Sequence, residues 1–474
     1  VFSIYRTVEN DRVRLGRREV LRVGGLTLLG LTSDELLRLR AHAQNVGGKG
    51  RRENSCVFIF LFGGPSHIDL WDMKPAAPSQ VRGEFRPIAT RVPSIQICEH
   101  LPDLARVTDR VCFLRSMTHH MPVHGPACSE MITGRPYFGP PITDQALPED
   151  WPSLSSLTTR YANRRSALPP AVVLPWYLQF EGQERRIAGQ TGGRMGERFN
   201  AFLVDGDPTR TDFRLPGIEL PNDVPLERVL GRADFLRRLE STSAPPSMRR
   251  DLDELFSAKF RSALAMVTNP TTARAFDLRL EPESMRDRYG ATKFGQSLLL
   301  ARRLVEAGVS LVTVNWDDES RFDKVSPHWD THHHLFAKLK EGLCPVFDRA
   351  FSTFIEDLFE RGLLETTLVV ATGEFGRTPK IGEFTQNAMT QQTGRDHWPH
   401  AFTVLLAGGS VRGGQVYGST NATGGYVVDK PVTPADLAAT ILLHLGIDLQ
   451  AEYQHVLAGT THRITTGTPL RDLA

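Results

Sequence analysis

Three segments of the chain are almost continuously apolar, NSCVFIFLF (54–62), TLVVA (367–371) and FTVLLA (402–407), and a further segment, VSLVTVN (309–315), also reads as a strand. A strand with one wet face alternates apolar and polar residues, whereas a run without alternation is buried on both faces. Such strands belong inside a sheet that helices cover on both sides. Between them lie segments with helical apolar spacing. These are HLPDLARVTDR (100–110), a helix opening near Pro126 and closing at Gly134, KFGQSLLLARRLVEA (293–307) stopped by Gly308, residues 335–361 stopped by Gly362, and Pro434 to Leu445. A short strand is expected at Val111 to Leu114. Strands alternating with helices predict an α/β fold with a largely parallel sheet flanked by helices. Residues 136–175 are rich in proline and read as irregular. Residues 180–290 carry loop signals (AGQTGGRMG, STSAPPS) and one helical pattern, RRDLDELFSAKFRSALAMV. They read as an inserted cap region rather than sheet core.

Composition excludes several classes. Fifty-six basic residues face 54 acidic ones, a net charge of +2, so no electrostatic footprint for nucleic acid is present. No apolar run approaches the roughly 20 residues of a membrane span. Five cysteines without a CxxC pair argue against a disulfide framework or a zinc–thiolate site. Cys98 and Cys112 are the pair to consider in an oxidising compartment. Near the start, Arg17-Arg18 precede a weakly apolar, glycine-containing stretch and then Ala41-His42-Ala43. This resembles a twin-arginine export signal over residues 1–43, ahead of an α/β domain at 44–474 with its insertion at about 180–290. Twin-arginine machinery would then be a partner, and the protein would work in the periplasm or outside the cell. The competing reading is an amphipathic helix starting at Ser33-Asp34-Glu35.

Histidine and carboxylate residues gather after the predicted strands. His67, Asp69 and Asp72 follow the first, and His119, His120 and His124 follow the second. Asp317, Asp318, Asp330, His332, His333 and His334 follow residues 309–315; Glu374 follows 367–371; Asp396, His397 and His400 precede 402–407. Ligands of open α/β sheets bind beyond the carboxyl ends of the strands. Five separate segments therefore deliver metal-ligating side chains to one edge, and a divalent metal (zinc, manganese or calcium) is the expected cofactor.

FERGLLETTLVVATGEFG, HGPACSEMITGR, PDLARVTDRVCFLRS and TPADLAATILLHLGI resemble, in order, segments of the alkaline phosphatase/sulfatase-like superfamily. GGPSHIDLWDMKP, RDRYGATKFGQSLLLARRLVEAGV, WDTH, GEFGRTP and GRDHWP are similar to a family of exported proteins of unknown function (DUF1501), over nearly the whole chain. The resemblance implies a sulfatase-like core and chemistry on a phosphate or sulfate ester carried by a small molecule or glycan. The chain departs from the superfamily at three places. Gly63-Gly64 stands where a metal-binding aspartate ends the first strand; Glu374-Phe375 stands where an Asp-His pair is usual; His124 occupies the nucleophile position. The Cys-x-Pro-x-Arg motif of formylglycine sulfatases is absent.

The candidate metal ligands are thus Asp330, His332, His334, His397, Glu374, His67 and Asp69. Asp330 also reads as a helix cap, His397 as a surface turn residue, and Glu374 as the ion-pair partner of Arg377 or Arg395. Neighbouring Ser66 and His67 would point oppositely on extended backbone, which disfavours a Ser66-His67-Asp69 triad. His124 is open to four roles: phosphorylated nucleophile, metal ligand, general base, or a hydrogen-bonded histidine at a helix start. Arg135, Arg377 and Arg395 are candidates for gripping substrate oxygens, and AGQTGGRMG (188–196) for a backbone anion nest. Three functions follow: a metal-dependent ester hydrolase, a non-catalytic metal- or glycan-binding protein of the same fold, and a phosphohistidine phosphotransferase.

Overall fold

The apolar run after Asn54 becomes a central strand of an eight-stranded sheet. In the computed structural model, the described residues are 53–473, apart from 140–145, 163–165, 181–185, 216–224, 236–265, 387–389 and scattered shorter gaps. A two-residue pairing of Thr7–Val8 with Asp11–Arg12 is also described. Most of the export-signal segment, and nearly all of the helical pattern at 249–267, lie outside the described residues.

The strands are β1 (Ser55–Phe60), β2 (Val111–Met117), β3 (Ala171–Leu174), β4 (Phe202–Leu203), β5 (Leu311–Asn315), β6 (Thr367–Thr372), β7 (Phe402–Ala407) and β8 (Gln415–Tyr417). Their order is β8-β2-β7-β6-β1-β5-β3-β4. Every neighbouring pair is parallel except those made by β7, which runs against β6 and β2. Alternate side chains of β1 feed two cores, as the twofold repeat of a strand requires. Val57, Ile59 and Leu61 join one core with α1 (His67–Leu70), α2 (Pro102–Val107), α7 (Lys293–Glu306) and α9 (Cys344–Glu360). Cys56, Phe58, Phe60 and Phe62 join the other with α3 (His124–Thr133), α4 (Leu154–Tyr161) and α10 (Pro434–His444). Helix starts follow local chemistry: Thr433 and Asp436 form a reciprocal capping box at α10, and Thr292 accepts from Gly295 N–H at α7.

Several expectations change. Residues 136–175 contain both α4 and β3. The Ser/Thr-rich sequence of α4 has weak helix propensity, and β3 has only four residues between prolines. The described part of 180–290 packs on the main body: β4 extends the sheet, α5 (Pro270–Phe276) lies on α7, and α6 (Glu283–Tyr289) lies on α7 and α9. The helix at 335–361 is interrupted, with α8 (Leu335–Lys338) joined to α9 by a π-helical turn at Leu339–Leu343, just before Pro345. Cys98 and Cys112 are free and buried, so the pair considered from sequence is not formed.

Gly63 shapes the end of the first strand segment. It adopts φ +110°, and a Cβ there would lie 2.3 Å from the backbone nitrogen of Asp330. The close approach lets Trp329 N–H donate to the Phe62 carbonyl at 3.0 Å and seats Asp330 over the sheet edge. Gly63→Ala is expected to destabilise the protein by about 3 kcal/mol, combining backbone strain and steric overlap. Gly446→Ala, at φ +73° with open space around it, is expected to cost only about 1 kcal/mol. Urea unfolding of the two variants checks the difference.

Candidate metal centre

Strand ends deliver four side chains to one point. His124 opens α3 after β2, Asp330 and His332 lie on the loop after β5, and His397 precedes β7. One ligand atom from each lies within 4.8 Å of all the others, and all four residues are buried. His332 Nε2 is 2.9 Å from Asp330 Oδ1 and 3.0 Å from His397 Nε2. His397 Nε2 is 3.2 Å from Asp330 Oδ1, and His124 Nε2 is 3.1 Å from Asp330 Oδ2 without hydrogen-bond alignment.

The far side of each imidazole explains why these nitrogens face inward. His397 Nδ1 lies 2.8 Å from the Pro122 carbonyl, which can only accept, so Nδ1 carries a proton. His124 Nδ1 lies 2.5 Å from Glu374 Oε1, and Glu374 in turn accepts from Gly63 N–H at 3.0 and 3.1 Å. His332 Nδ1 is 2.9 Å from Thr390 Oγ1 and 3.6 Å from Asp396 Oδ1. Asp396 is itself anchored by the N–H groups of Thr385, Gln386 and His397. Carbonyl and carboxylate partners on Nδ1 leave Nε2 to present its lone pair, an arrangement typical of metal-ligating histidine. Inward-facing nitrogens 3.0 Å apart need a proton or a cation between them. The donor set therefore fits a divalent metal.

Charge in the site is balanced by a buried arginine. Arg377 donates to Asp330 Oδ1 at 2.5 Å and to the carbonyls of Gly63, Gly64, Trp329 and Arg395. Burial pushes the Asp330 carboxyl up, but Arg377, His124 and His332 override it and hold the group well below the usual carboxylate range. Burial pushes the His124 ring down, but Asp330 and Glu374 override this and raise it to about 9. His397 is pushed down to about 3, by burial first and then by the charge on His124. In the metal-free centre the imidazolium charge of His124 faces Asp330 and Glu374.

The other expected site residues are engaged elsewhere. Glu374 is not in the ligand cluster; it orients His124. His67 Nε2 bonds the Gly424 carbonyl at 2.8 Å, outside the cluster. Asp69 forms a bidentate pair with Arg395 at 2.8 and 2.9 Å, so these two buried groups neutralise one another and are free for neither metal nor substrate. His334 is exposed, in left-handed conformation at the start of α8. Arg135 stacks over Trp151 and donates to the Arg463 carbonyl. Arg377 serves Asp330 and the chain rather than an open anion site. The glycine-rich loop is no free nest, because Asp150 accepts from Gly189 and Arg194 N–H and Asn200 from Gly192 N–H. Sequence reasoning missed the orienting roles of Pro122, Thr390 and Asp396. Of these, only Asp396 carried a signal, standing next to His397.

Because His124 carries a proton up to about pH 9 in the metal-free protein, a metal must displace it. Apparent zinc affinity is expected to rise about tenfold per pH unit from pH 7 to 9 and to flatten above. Competition against a chelating dye across this range checks the slope.

No curated protein matches the chain. Similar solved structures include a phosphonate monoester hydrolase from Silicibacter pomeroyi, with 11% identity and TM-score 0.39, over 89% of this chain and 76% of that one. A sulfatase from Pseudoalteromonas sp. has 12% identity and TM-score 0.35, over 88% and 72% of the two chains. A protein solved with its substrate D-glucosamine-2-N,6-O-disulfate has 11% identity and TM-score 0.33, over 90% and 82%. Over residues 53–473 the chain matches the family described as Protein of unknown function (DUF1501), and it belongs to that family.

Proposed function

We propose that the chain is a metal-dependent hydrolase of phosphate or sulfate esters that works without a formylglycine nucleophile. The observation that carries the reading is the buried convergence of three imidazole Nε2 atoms on the Asp330 carboxylate. His124, Asp330, His332 and His397 would hold a divalent cation, which would supply Lewis-acid polarisation of an ester oxygen. Three nitrogens and one oxygen suit zinc better than manganese, which prefers oxygen ligands, or calcium, which takes roughly six to eight oxygens.

The chain's own residues prepare the site. Arg377 occupies Asp330 Oδ1, which leaves Oδ2 toward His124. Glu374 and the Pro122 carbonyl fix two imidazole planes. The Phe375 ring stacks on His397 at 4.4 Å and shields it from water. A phosphohistidine is the weaker reading, because His124 Nδ1 is bonded to Glu374 and Nε2 faces the Asp330 carboxylate 3.1 Å away, which repels an incoming phosphate. Action outside the cytoplasm rests on the Arg17-Arg18 pattern, since twin-arginine export carries a folded protein with its metal in place.

One observation favours a second reading, a metal- or glycan-binding protein without turnover. Arg135, Arg377 and Arg395, the guanidinium groups expected to grip ester oxygens, all have protein partners. Turnover of zinc- or manganese-loaded protein on aryl phosphate and aryl sulfate separates the two. The hydrolase reading expects activity that falls by about 10³-fold or more in Asp330→Asn, with the fold intact by circular dichroism. Activity unchanged in that variant, or none on any ester, would reject it.

A further inference from the structure

We propose that the substrate approaches the centre along an aromatic wall and is recognised through the flat face of a six-membered ring next to its ester. The inference rests on the hydrolase reading for the ester and on separate observations for the ring. Of the four clustered residues His124 is the most exposed, at 9%, against 0% for His332. Approach to the centre is therefore on the His124 side. There the imidazole meets two phenyl rings nearly edge-on, Phe62 at 5.7 Å and Phe180 at 5.8 Å, and these lie 5.5 Å from each other. The row continues from Phe62 to His328 at 5.6 Å and from His328 to Trp176 at 5.8 Å.

Phe62 and His328 are buried, whereas Phe180 and Trp176 are half-buried, so the row leads from a metal-ligand ring to the surface. It is held rigidly. Trp176 Nε1 donates to the Trp316 carbonyl at 3.2 Å, and His328 Nδ1 lies 3.2 Å from Asp318 Oδ1. A rigid aromatic surface binds flat ring faces at low entropic cost. The arginines beside the centre, Arg377 and Arg395, are already paired, so recognition beyond the ester itself falls to these faces rather than to further anionic groups. Both an aryl ring and the CH face of a pyranose have this shape.

The test is equilibrium binding of phenyl sulfate, glucose 6-sulfate and methyl sulfate to the zinc-loaded full chain, by titration calorimetry. Stacking of this kind predicts that at least one ring-bearing ester binds about five- to tenfold more tightly than methyl sulfate. The preference should vanish in Phe180→Leu, which keeps apolar volume but removes the ring, and shrink in Trp176→Leu. Whichever ring binds more tightly identifies an aryl or a sugar ester. Equal binding of all three, binding of none, or a preference that survives in both variants would overturn the inference. Turnover without ring preference would leave the hydrolase reading standing, and ring preference without turnover would do the reverse.

Discussion

A buried carboxylate is costly unless opposite charge and hydrogen bonds surround it, and Asp330 organises the sheet edge around that need. Arg377 meets it from the segment after β6, and three imidazoles meet it from β2, from its own loop and from the segment before β7. Arg377 also ties down the carbonyls of Gly63 and Gly64. The glycines after β1 have no side chain to intrude, which lets the Trp329–Asp330 backbone settle directly over the strand end. Removing this carboxylate would leave Arg377 buried without its anion and the three imidazole nitrogens without their common partner.

A second layer makes the inner one specific. Three different kinds of acceptor, a backbone carbonyl, a glutamate and a threonine with an aspartate beside it, sit behind the three histidines. Each restricts ring orientation at the cost of one hydrogen bond. After the first strand Gly63 gives Glu374 a backbone N–H, and at the start of α3 His124 contributes a ring nitrogen.

Much of this was legible in the residues. Nearly unbroken apolar runs disclosed β1, β6 and β7, because burial on both faces removes most polar alternation. Helix stops at Gly134, Gly308 and Gly362 read correctly because each glycine has positive φ, a conformation other residues reach only with strain. The segment at β3 and α4 was not legible, since four residues between prolines and a Ser/Thr-rich helix carry little periodic signal. For the site, clustering by segment pointed to Asp330, His332 and His397. It did not separate them from Asp69 and Arg395, whose partnership spans 326 positions and leaves no local trace. Glu374 had the right place but another task, because only three-dimensional contact shows that its oxygens reach His124 and Gly63.

The central claim is that this cluster holds a metal. The most direct measurement is metal content by plasma mass spectrometry of the protein purified without chelator, beside His332→Ala prepared in the same way. About one zinc or manganese per chain, falling below about a tenth in the variant, is the predicted result. A wild-type protein that folds stably, carries no metal and takes up none on dialysis against zinc or manganese would contradict it.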